Sequence, residues 1–471
     1  MSGPLSAQEI VARCLALSTA DGCVVVVRES WQANLRWARN TLTTNGEGAS
    51  RSVTVLSFVG SSGGGRTGTA VGAVNRSGVT VAELADLVER SQAAAAAADP
   101  AEDASPLLDR STGTAAAVDW TEPPGTTSGG VFGTIAPVLG DVLAAGRADG
   151  IEHFGYAEHS VATTYVGSST GLLLRHVQPE GRLELTAKSH QRSRSTWAGI
   201  PTRDFAGIDL PATDAGLRRA LQWQARTVDI APGRHAALLS PSAVADLMID
   251  LYWSAGGRDA AQGRSVFSRP GGGTRIGEAL SPQPFDLVSD PAMPGLQCSP
   301  FELVTSSSES ASVFDNGLPL RRTEWLHAGR LRGLLTSRFT ARECDLPVNP
   351  GIDNLSLSLP GAGGDLADLV SRSDSGLLVT CLWYNRVVDP QTLLLTGLTR
   401  DGVYLVSDGE VVGSVGNFRF NDSPVDMLRR TTDAGATTPT LAREMGDYFN
   451  RAAMPPLRVA DVNFSTRSDA V

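Results

Sequence analysis

The order of predicted elements in the first half of the chain restricts its fold more than any other feature. A helix followed by strands with glycine-rich turns occurs twice, with the helices at residues 5–19 and 131–148. Short runs that alternate apolar and polar residues between turn residues are typical of antiparallel strands. The order predicts two helix-plus-meander units, a duplicated α+β arrangement. The strand segments are "GCVVVVRES", "ANLRWARNTLTT", "RSVTVLSFV" and "RTGTAVGAV" in the first unit, and "IEHFGYAEHSVATTYVG", "GLLLRHVQPEG" and "RLELTAKSHQRS" in the second.

The second half of the chain has a different pattern. After a helix in "HAALLSPSAVADLMIDLYW", short apolar runs alternate with turns, as in "GLLVTCLWYNRVV" and "GVYLVSDGEVVGSV". A chain of 471 residues is too long for one compact core. We therefore predict an α+β protein with an N-terminal α/β domain over residues 1–228. A C-terminal, mostly antiparallel β domain of barrel-like form is predicted over residues 229–471.

Composition argues against several classes of partner. The formal net charge of −10 disfavours nucleic acid and anionic membranes. The sequence contains no apolar stretch long enough to predict a membrane span, and its start lacks the pattern of a secretory signal. The five cysteines are scattered without a CxxC pair, so we expect neither a disulfide framework nor a thiolate metal site. These features favour a cytoplasmic protein.

Two glycine-rich segments resemble known motifs but lack the required context. "GSSGGGRT", residues 60–67, has P-loop spacing with Arg66 at the lysine position, and "GSSTG", residues 167–171, matches the GxSxG of a nucleophile elbow around Ser169. Both motifs need a helix after the glycines, whereas strand-like residues follow each segment. We interpret both as turns between strands and predict no nucleotide binding at the first.

Histidines and carboxylates cluster in "IEHFGYAEHS", which contains Glu152, His153, Glu158 and His159. Both residue types bind zinc. Histidines six residues apart on an extended strand share a face but lie about 20 Å apart, too far for one ion. A sharp bend at Gly155 would be needed to bring them together, and the alternative is that they are solvated or line a cleft.

A longer segment carries a family resemblance. Residues 313–342, "VFDNGLPLRRTEWLHAGRLRGLLTSRFTAR", resemble a stretch of the TldD/PmbA family, and "RHAALLSPSAVADLM", "DSGLLVTCLW" and "MPPLRVADVNFS" resemble other segments of that family in the same order. The resemblance covers nearly the whole chain. The positions in step within the longest segment are Asp315, Gly317, Arg321, Arg322, Gly329, Leu331 and Ala341.

The resemblance implies an α/β N-terminal domain, a β-rich C-terminal domain and dimers around an internal cavity. TldD-type subunits bind zinc through HExxxH on a helix and a later cysteine, whereas PmbA-type subunits, also called TldE, lack these ligands. In this chain Pro241 and Ser242 fall at the first histidine and the glutamate, Asp246 falls at the second histidine, and no cysteine follows Cys381. We therefore predict no catalytic residue and no metal ligand here, with zinc on a partner subunit.

The resemblance thus implies a TldE-like, non-catalytic subunit of a heterodimeric zinc peptidase that acts on unfolded peptides or peptide-like natural products. Asp315, Gly317, Arg321 and Arg322 are candidates to line its cavity, and the alternative for the arginines is an exposed strand. Two other functions stay open. One is a self-sufficient hydrolase that uses Ser169, His153, His159 or Asp246, and the other is a scaffold or regulator.

Overall fold

The structure is a computed structural model that describes residues 5–63 and 66–468. Its α-helices are α1 (Ala7–Leu17), α2 (Leu84–Ala97), α3 (Ala136–Asp149), α4 (Leu210–Trp223), α5 (Pro241–Trp253), α6 (Gly257–Ala261), α7 (Arg338–Cys344), α8 (Leu366–Ser371) and α9 (Pro424–Arg429). Its strands up to residue 289 are β1 (Gly22–Ala38), β2 (Thr41–Gly63), β3 (Arg66–Ser77), β4 (Glu152–Ser168), β5 (Leu173–Ser189), β6 (Arg194–Thr202), β7 (Gly233–Leu239) and β8 (Asp286–Ser289). The later strands are β9 (Thr323–His327), β10 (Arg330–Leu331), β11 (Leu355–Ser358), β12 (Ser375–Asp389), β13 (Leu394–Ser407), β14 (Glu410–Ser414), β15 (Asn417–Asp422), β16 (Thr431–Ala434), β17 (Thr438–Thr440), β18 (Ala452–Met454) and β19 (Leu457–Ser468).

The first six strands form one antiparallel sheet that curves as a half-barrel, in the order β3-β2-β1-β4-β5-β6. The first strand of each unit, β1 or β4, lies at the centre, where the two strands pair antiparallel. Each meander then extends outward from this central pair. The α+β fold with duplicated helix-plus-meander units, predicted from the sequence, is confirmed.

Two strand boundaries differ from the sequence prediction. The predicted gap at residues 31–32 is absent, and β1 continues to a turn at Arg39 and Asn40, whose φ angles are 50° and 60°. Such a pair of positive φ angles forms the tight turn of a twisted hairpin, and asparagine tolerates it well. The predicted break after Gly181 is also wrong, since Gly181 pairs with both His159 and Thr202 inside continuous β5. A glycine within a strand is not by itself a turn.

Helices cover one face of this sheet. One buried cluster joins α1 and α2 to β1 and β2, and a second joins α3 and α4 to β1, β4 and β5. The opposite face is covered in part by the second half of the chain. There Phe301, Val313 and Phe314 pack on Val24 and Phe58, with the rings of Phe58 and Phe314 5.1 Å apart between centroids.

The second half contains a closed barrel. Strands β12, β7, β19, β15 and β13 pair in that order, and β12 also pairs with β13, which closes a five-stranded ring. A second sheet has the order β10-β9-β8-β11-β18-β17. The predicted barrel-like β region is confirmed. The predicted domain boundary at residues 228/229 lies between β6 and β7 and stays a prediction.

Among the residues described, none of the helices is both long and apolar enough to cross a membrane.

Candidate functional site

Helix α5 is the element on which the family resemblance places the metal ligands, and the sequence explains its local structure. Ser240 caps the helix, because its Oγ accepts a hydrogen bond from the N–H of Ala243 at 3.2 Å. Pro241 occupies the first turn, where a missing N–H costs nothing. Most of the following side chains are apolar and buried, so α5 lies within the main core of the second half.

Asp246 is fully buried and binds backbone groups. Its carboxyl oxygens accept hydrogen bonds from the N–H groups of Arg443, Glu444 and Met445 at 3.2, 3.1 and 3.0 Å. Burial raises the pKa of Asp246 to about 8, although these N–H groups favour the charged form. The side chain therefore fastens residues 443–445 to the helix.

The three positions on α5 do not fit a zinc ion. Pro241 has no donor atom in its side chain, and Ser242 presents only a hydroxyl, whose Oγ is buried without a hydrogen-bond partner. Both oxygens of Asp246 are taken by backbone N–H groups. Within residues 5–63 and 66–468, no group of three or more His, Cys, Asp or Glu residues is placed to hold a metal ion.

A layer of acidic and aromatic groups lies beside Asp246. Asp250 is one turn further along α5, and burial together with the charge of Glu444 raises its pKa to about 7. Glu444 accepts hydrogen bonds from the N–H of Asn385 and from the Arg386 side chain. The neighbouring Arg443 guanidinium lies over Trp197 and Trp383, 4.9 and 4.7 Å from the ring centroids. These contacts order the 443–449 segment against α5.

Two cavities lie at opposite ends of α5, which is about 20 Å long. The first cavity, of about 710 Å³, adjoins Pro241 and is lined by Thr380, Thr438, Trp223 and Leu378 among others. The second cavity, of about 470 Å³, adjoins Tyr252 and Trp253. Both volumes lie in the range of small-ligand sites.

The second cavity joins the two halves of the chain. Arg28 and Glu180 line it from the first sheet, while Glu302, Tyr252 and Tyr448 line it from the second half. The Tyr252 hydroxyl is fixed by the Ile352 backbone, at 2.9 Å from its oxygen and 2.7 Å from its nitrogen. Burial raises the pKa of Glu302 to about 8, and the nearby Asp315 charge adds to this shift.

The motif residues Asp315 and Gly317 make defined contacts within the chain, and a role in lining a substrate cavity stays a prediction. Asp315 is 2% exposed and accepts hydrogen bonds from the backbone N–H and Nε of Arg338 at 2.8 and 2.6 Å. Gly317 has φ of 91°, and a Cβ there would lie 2.7 Å from Leu172 Cδ1. Its carbonyl accepts hydrogen bonds from Thr114 N and Oγ1. The segment therefore fastens the second half of the chain to the first.

The two motif arginines, Arg321 and Arg322, are exposed. Arg322 approaches Glu324 at 3.4 Å across the surface. Exposed pairs of this kind contribute little to stability. Both residues precede β9 on the surface, and a role in substrate contact stays a prediction.

The structure does not bring the candidates for a self-sufficient hydrolase together. His153 is buried and bonds through Nε2 to Asp214 at 2.7 Å, whereas His159 bonds to the hydroxyl of Thr127 and the carbonyl of Arg203. Ser169 Oγ accepts a hydrogen bond from the N–H of Cys23 at 3.0 Å. Each side chain is used in local structure on β4 or in the turn after it.

The acidic residues beside these histidines form surface ion pairs. Glu152 pairs with Arg192 and Glu158 with Arg182. At the P-loop-like segment, Arg66 pairs with Gly63 at the end of the β2–β3 hairpin, so a strand follows the glycines as predicted. Residues 64–65 of that motif lie outside the described residues.

Glu302, Glu444 and the exposed aromatic residues Trp253 and Tyr448 of the second cavity were not predicted from the sequence. Glu302 had a signal, because it is the lone charge in the apolar run "PFELV". A single acid in such a run indicates a buried carboxyl with a specific role. The other residues are brought together only by the tertiary fold.

The second half of the chain matches a known protein family. A family profile described as the PmbA/TldA metallopeptidase C-terminal domain matches residues 232–466. A search of curated proteins found no match.

Solved structures resemble the chain over nearly its full length. TldE from Thermococcus kodakarensis superposes with a TM-score of 0.76 at 15% identity, covering 97% of this chain and 99% of that one. A Thermotoga maritima protein described as a candidate modulator of a DNA gyrase gives 0.74 at 16% identity, with the same coverage of 97% and 99%. A similarly described protein from Bacteroides thetaiotaomicron gives 0.73 at 12% identity, covering 98% of each chain. At these identities the likeness establishes a shared fold.

Proposed function

Since the chain belongs to the PmbA/TldD family, we propose that it is the non-catalytic, TldE-like subunit of a two-chain zinc peptidase. The partner would be a TldD-like chain that carries HExxxH and holds the zinc ion. The observation that carries this proposal is the state of α5, where Pro241, Ser242 and Asp246 stand at the ligand positions and Asp246 binds three backbone N–H groups.

The division of labour follows from what α5 lacks. Zinc in the partner would supply an activated water for attack on a peptide carbonyl. Across its described residues, this chain keeps the fold of the family without a cluster of side chains placed to bind that ion. A subunit that only completes a shared chamber needs no metal. Its contribution is then to enclose the substrate and exclude bulk water.

Unfolded peptides or peptide-like natural products are the substrates that we propose. An extended peptide can pair through its backbone with an exposed strand edge, in a way that tolerates many sequences. The short strand β17 ends the six-stranded sheet of the second half, and its exposed residues Thr438 and Pro439 offer such an edge. The cytoplasm is the compartment that we expect for this reaction.

The test is co-expression with the HExxxH homologue of the same cell, followed by size-exclusion chromatography, elemental analysis and a peptide-cleavage assay. We expect the lone chain to be inactive and to carry no stoichiometric zinc, and the mixture to elute as one complex with cleavage activity. The control is the homologue alone, which should cleave more slowly than the mixture.

Three outcomes would contradict the proposal. A lone chain that cleaves peptides as fast as the mixture would favour a self-sufficient hydrolase. A complex that gains no activity over the homologue alone would favour a scaffold or regulator. About one zinc ion per lone chain, after removal of any purification tag, would show that this chain has its own metal site.

A further inference from the structure

Glu302 is a buried acidic residue that lines the second cavity. Its side chain is 6% exposed and lines the cavity. Within residues 5–63 and 66–468, its carboxyl makes no hydrogen bond or ion pair, and the influences on its pKa are burial and one other carboxylate. A buried polar group in this state is costly unless something else completes it.

The charges near Glu302 favour a cation as that missing group. The carboxylate that acts on it is Asp315, which is already bound by Arg338. The two arginines that line the cavity interact with other groups. Arg451 pairs with Glu180 and Asp353, and Arg28 acts electrostatically on Asp353 and Arg451. Glu302 is therefore left with a neighbour of its own sign.

The rest of the cavity suits the apolar stem of a long basic side chain. Tyr252, Phe301 and Leu335 line the wall. Trp253 and Tyr448 also line the cavity and are 44% and 77% exposed, respectively. Lysine and arginine bury their stems along apolar surfaces, and their charged ends are attracted to aromatic faces.

We propose that the second cavity binds the guanidinium or ammonium group of a basic residue in a peptide, with the Glu302 carboxylate as its counter-ion. The inference rests on the proposed function only for the nature of the ligand, an extended peptide. An arginine would fill the site best, because its planar group can donate two hydrogen bonds to one carboxylate. The chain would then select peptides by a basic residue, away from the zinc of its partner.

Isothermal titration of the lone full-length chain tests this site. The probes are the capped peptides acetyl-Leu-Arg-Leu-amide and acetyl-Leu-citrulline-Leu-amide, which differ in one charge and hardly in shape. We expect the wild type to bind the arginine peptide at least ~10-fold more tightly, as one charge-assisted hydrogen bond would give. Glu302→Gln keeps the shape of the side chain and should abolish that preference.

The matched control is Glu410→Gln, because Glu410 is an exposed acid that lines the first cavity. This variant should keep the preference for the arginine peptide. Equal binding of the two peptides by the wild type would overturn the inference. An unchanged preference in Glu302→Gln, with the thermal midpoint showing a folded chain, would overturn it as well.

The titration is independent of the proposed function because it needs neither the partner nor catalysis. Selective binding by a chain that forms no active complex would refute the peptidase proposal and leave the site standing. An active complex formed by a chain that does not prefer the arginine peptide would do the reverse.

Discussion

Asp250 shows how a single carboxyl in this core can set the pH dependence of stability. It lies beside Glu444, and its Oδ2 is buried without a hydrogen-bond partner. Its pKa in the folded chain is raised to about 7, mainly by burial, whereas in the unfolded chain it is about 3.9. The folded state therefore holds the proton more strongly. The stability due to this group is present below the unfolded pKa and is lost as the pH rises toward 7.

Asp250→Asn should remove this dependence because the amide stays neutral. We expect the variant to match the wild type near pH 4, to exceed its thermal midpoint by a few degrees near pH 8, and to show the difference growing in between. The charged and titratable groups around the site are Asp246, Glu444 and Arg386. Thermal unfolding of both proteins across this range is the measurement, and a difference that is constant with pH would contradict the assignment.

At the scale of elements, the sequence predicts the repeated units correctly but not the boundaries of the long strands. The two helix-plus-meander units were predicted because their order occurs twice. The boundaries of β1 and β5 were not, because only register distinguishes a strand that continues from two that meet at a turn. The barrel also depends on the pairing of β7 with β12 and with β19, which joins residues far apart in the chain and leaves no local signal.

At the candidate site, too, some features could be predicted from the sequence and others could not. The difference of Pro241, Ser242 and Asp246 from the HExxxH pattern is visible in the sequence, whereas the absence of zinc stays a prediction. The hydrogen bonds of Asp246 to backbone N–H groups could not be predicted, since their donors, residues 443–445, lie almost two hundred residues later in the chain. Glu302 was visible as a lone acid, but its cavity is assembled from both halves of the chain.

Restoring the family ligands on α5 tests whether the element has become structural. In Pro241→His/Ser242→Glu/Asp246→His, we expect no stoichiometric zinc, because ligand orientation depends on surrounding partners. The triple variant should also be less stable by about 2–4 kcal/mol, since three buried N–H groups lose their acceptor. Elemental analysis and thermal unfolding are the measurements.

The double variant Pro241→His/Ser242→Glu is the control for this experiment. It retains Asp246 and carries the same glutamate at the buried Ser242 position, so the further loss of stability in the triple variant measures the loss of Asp246 alone. About one zinc bound per triple variant would show that the helix is still organised for metal. Equal stability of the double and triple variants would show that Asp246 does not fasten residues 443–445.

For the molecule as a whole, the contacts that hold the second half of the chain against the first sheet affect both stability and the second cavity. Gly317 is central to these contacts. Its carbonyl binds Thr114, and its N–H donates to the Glu302 carbonyl at 2.9 Å. The same segment thus joins the halves and carries the acid of the second cavity. A disturbance at Gly317 should therefore reach both the stability of the chain and the cavity.

Gly317→Ala should lower stability more than strain at one residue explains. An alanine at positive φ costs about 1–2 kcal/mol by itself, and here its Cβ would lie 2.7 Å from Leu172 Cδ1 in a packed core. Gly361→Ala is the matched control, because Gly361 has φ of 82° and nothing within 4 Å of a Cβ. We expect the thermal midpoint to fall in both variants, and to fall several degrees further in Gly317→Ala.

The affinity for acetyl-Leu-Arg-Leu-amide should fall in Gly317→Ala alone, because the Glu302 segment shifts with it. If both variants lose the same stability, the contact with Leu172 relaxes at no cost and the halves are held together elsewhere.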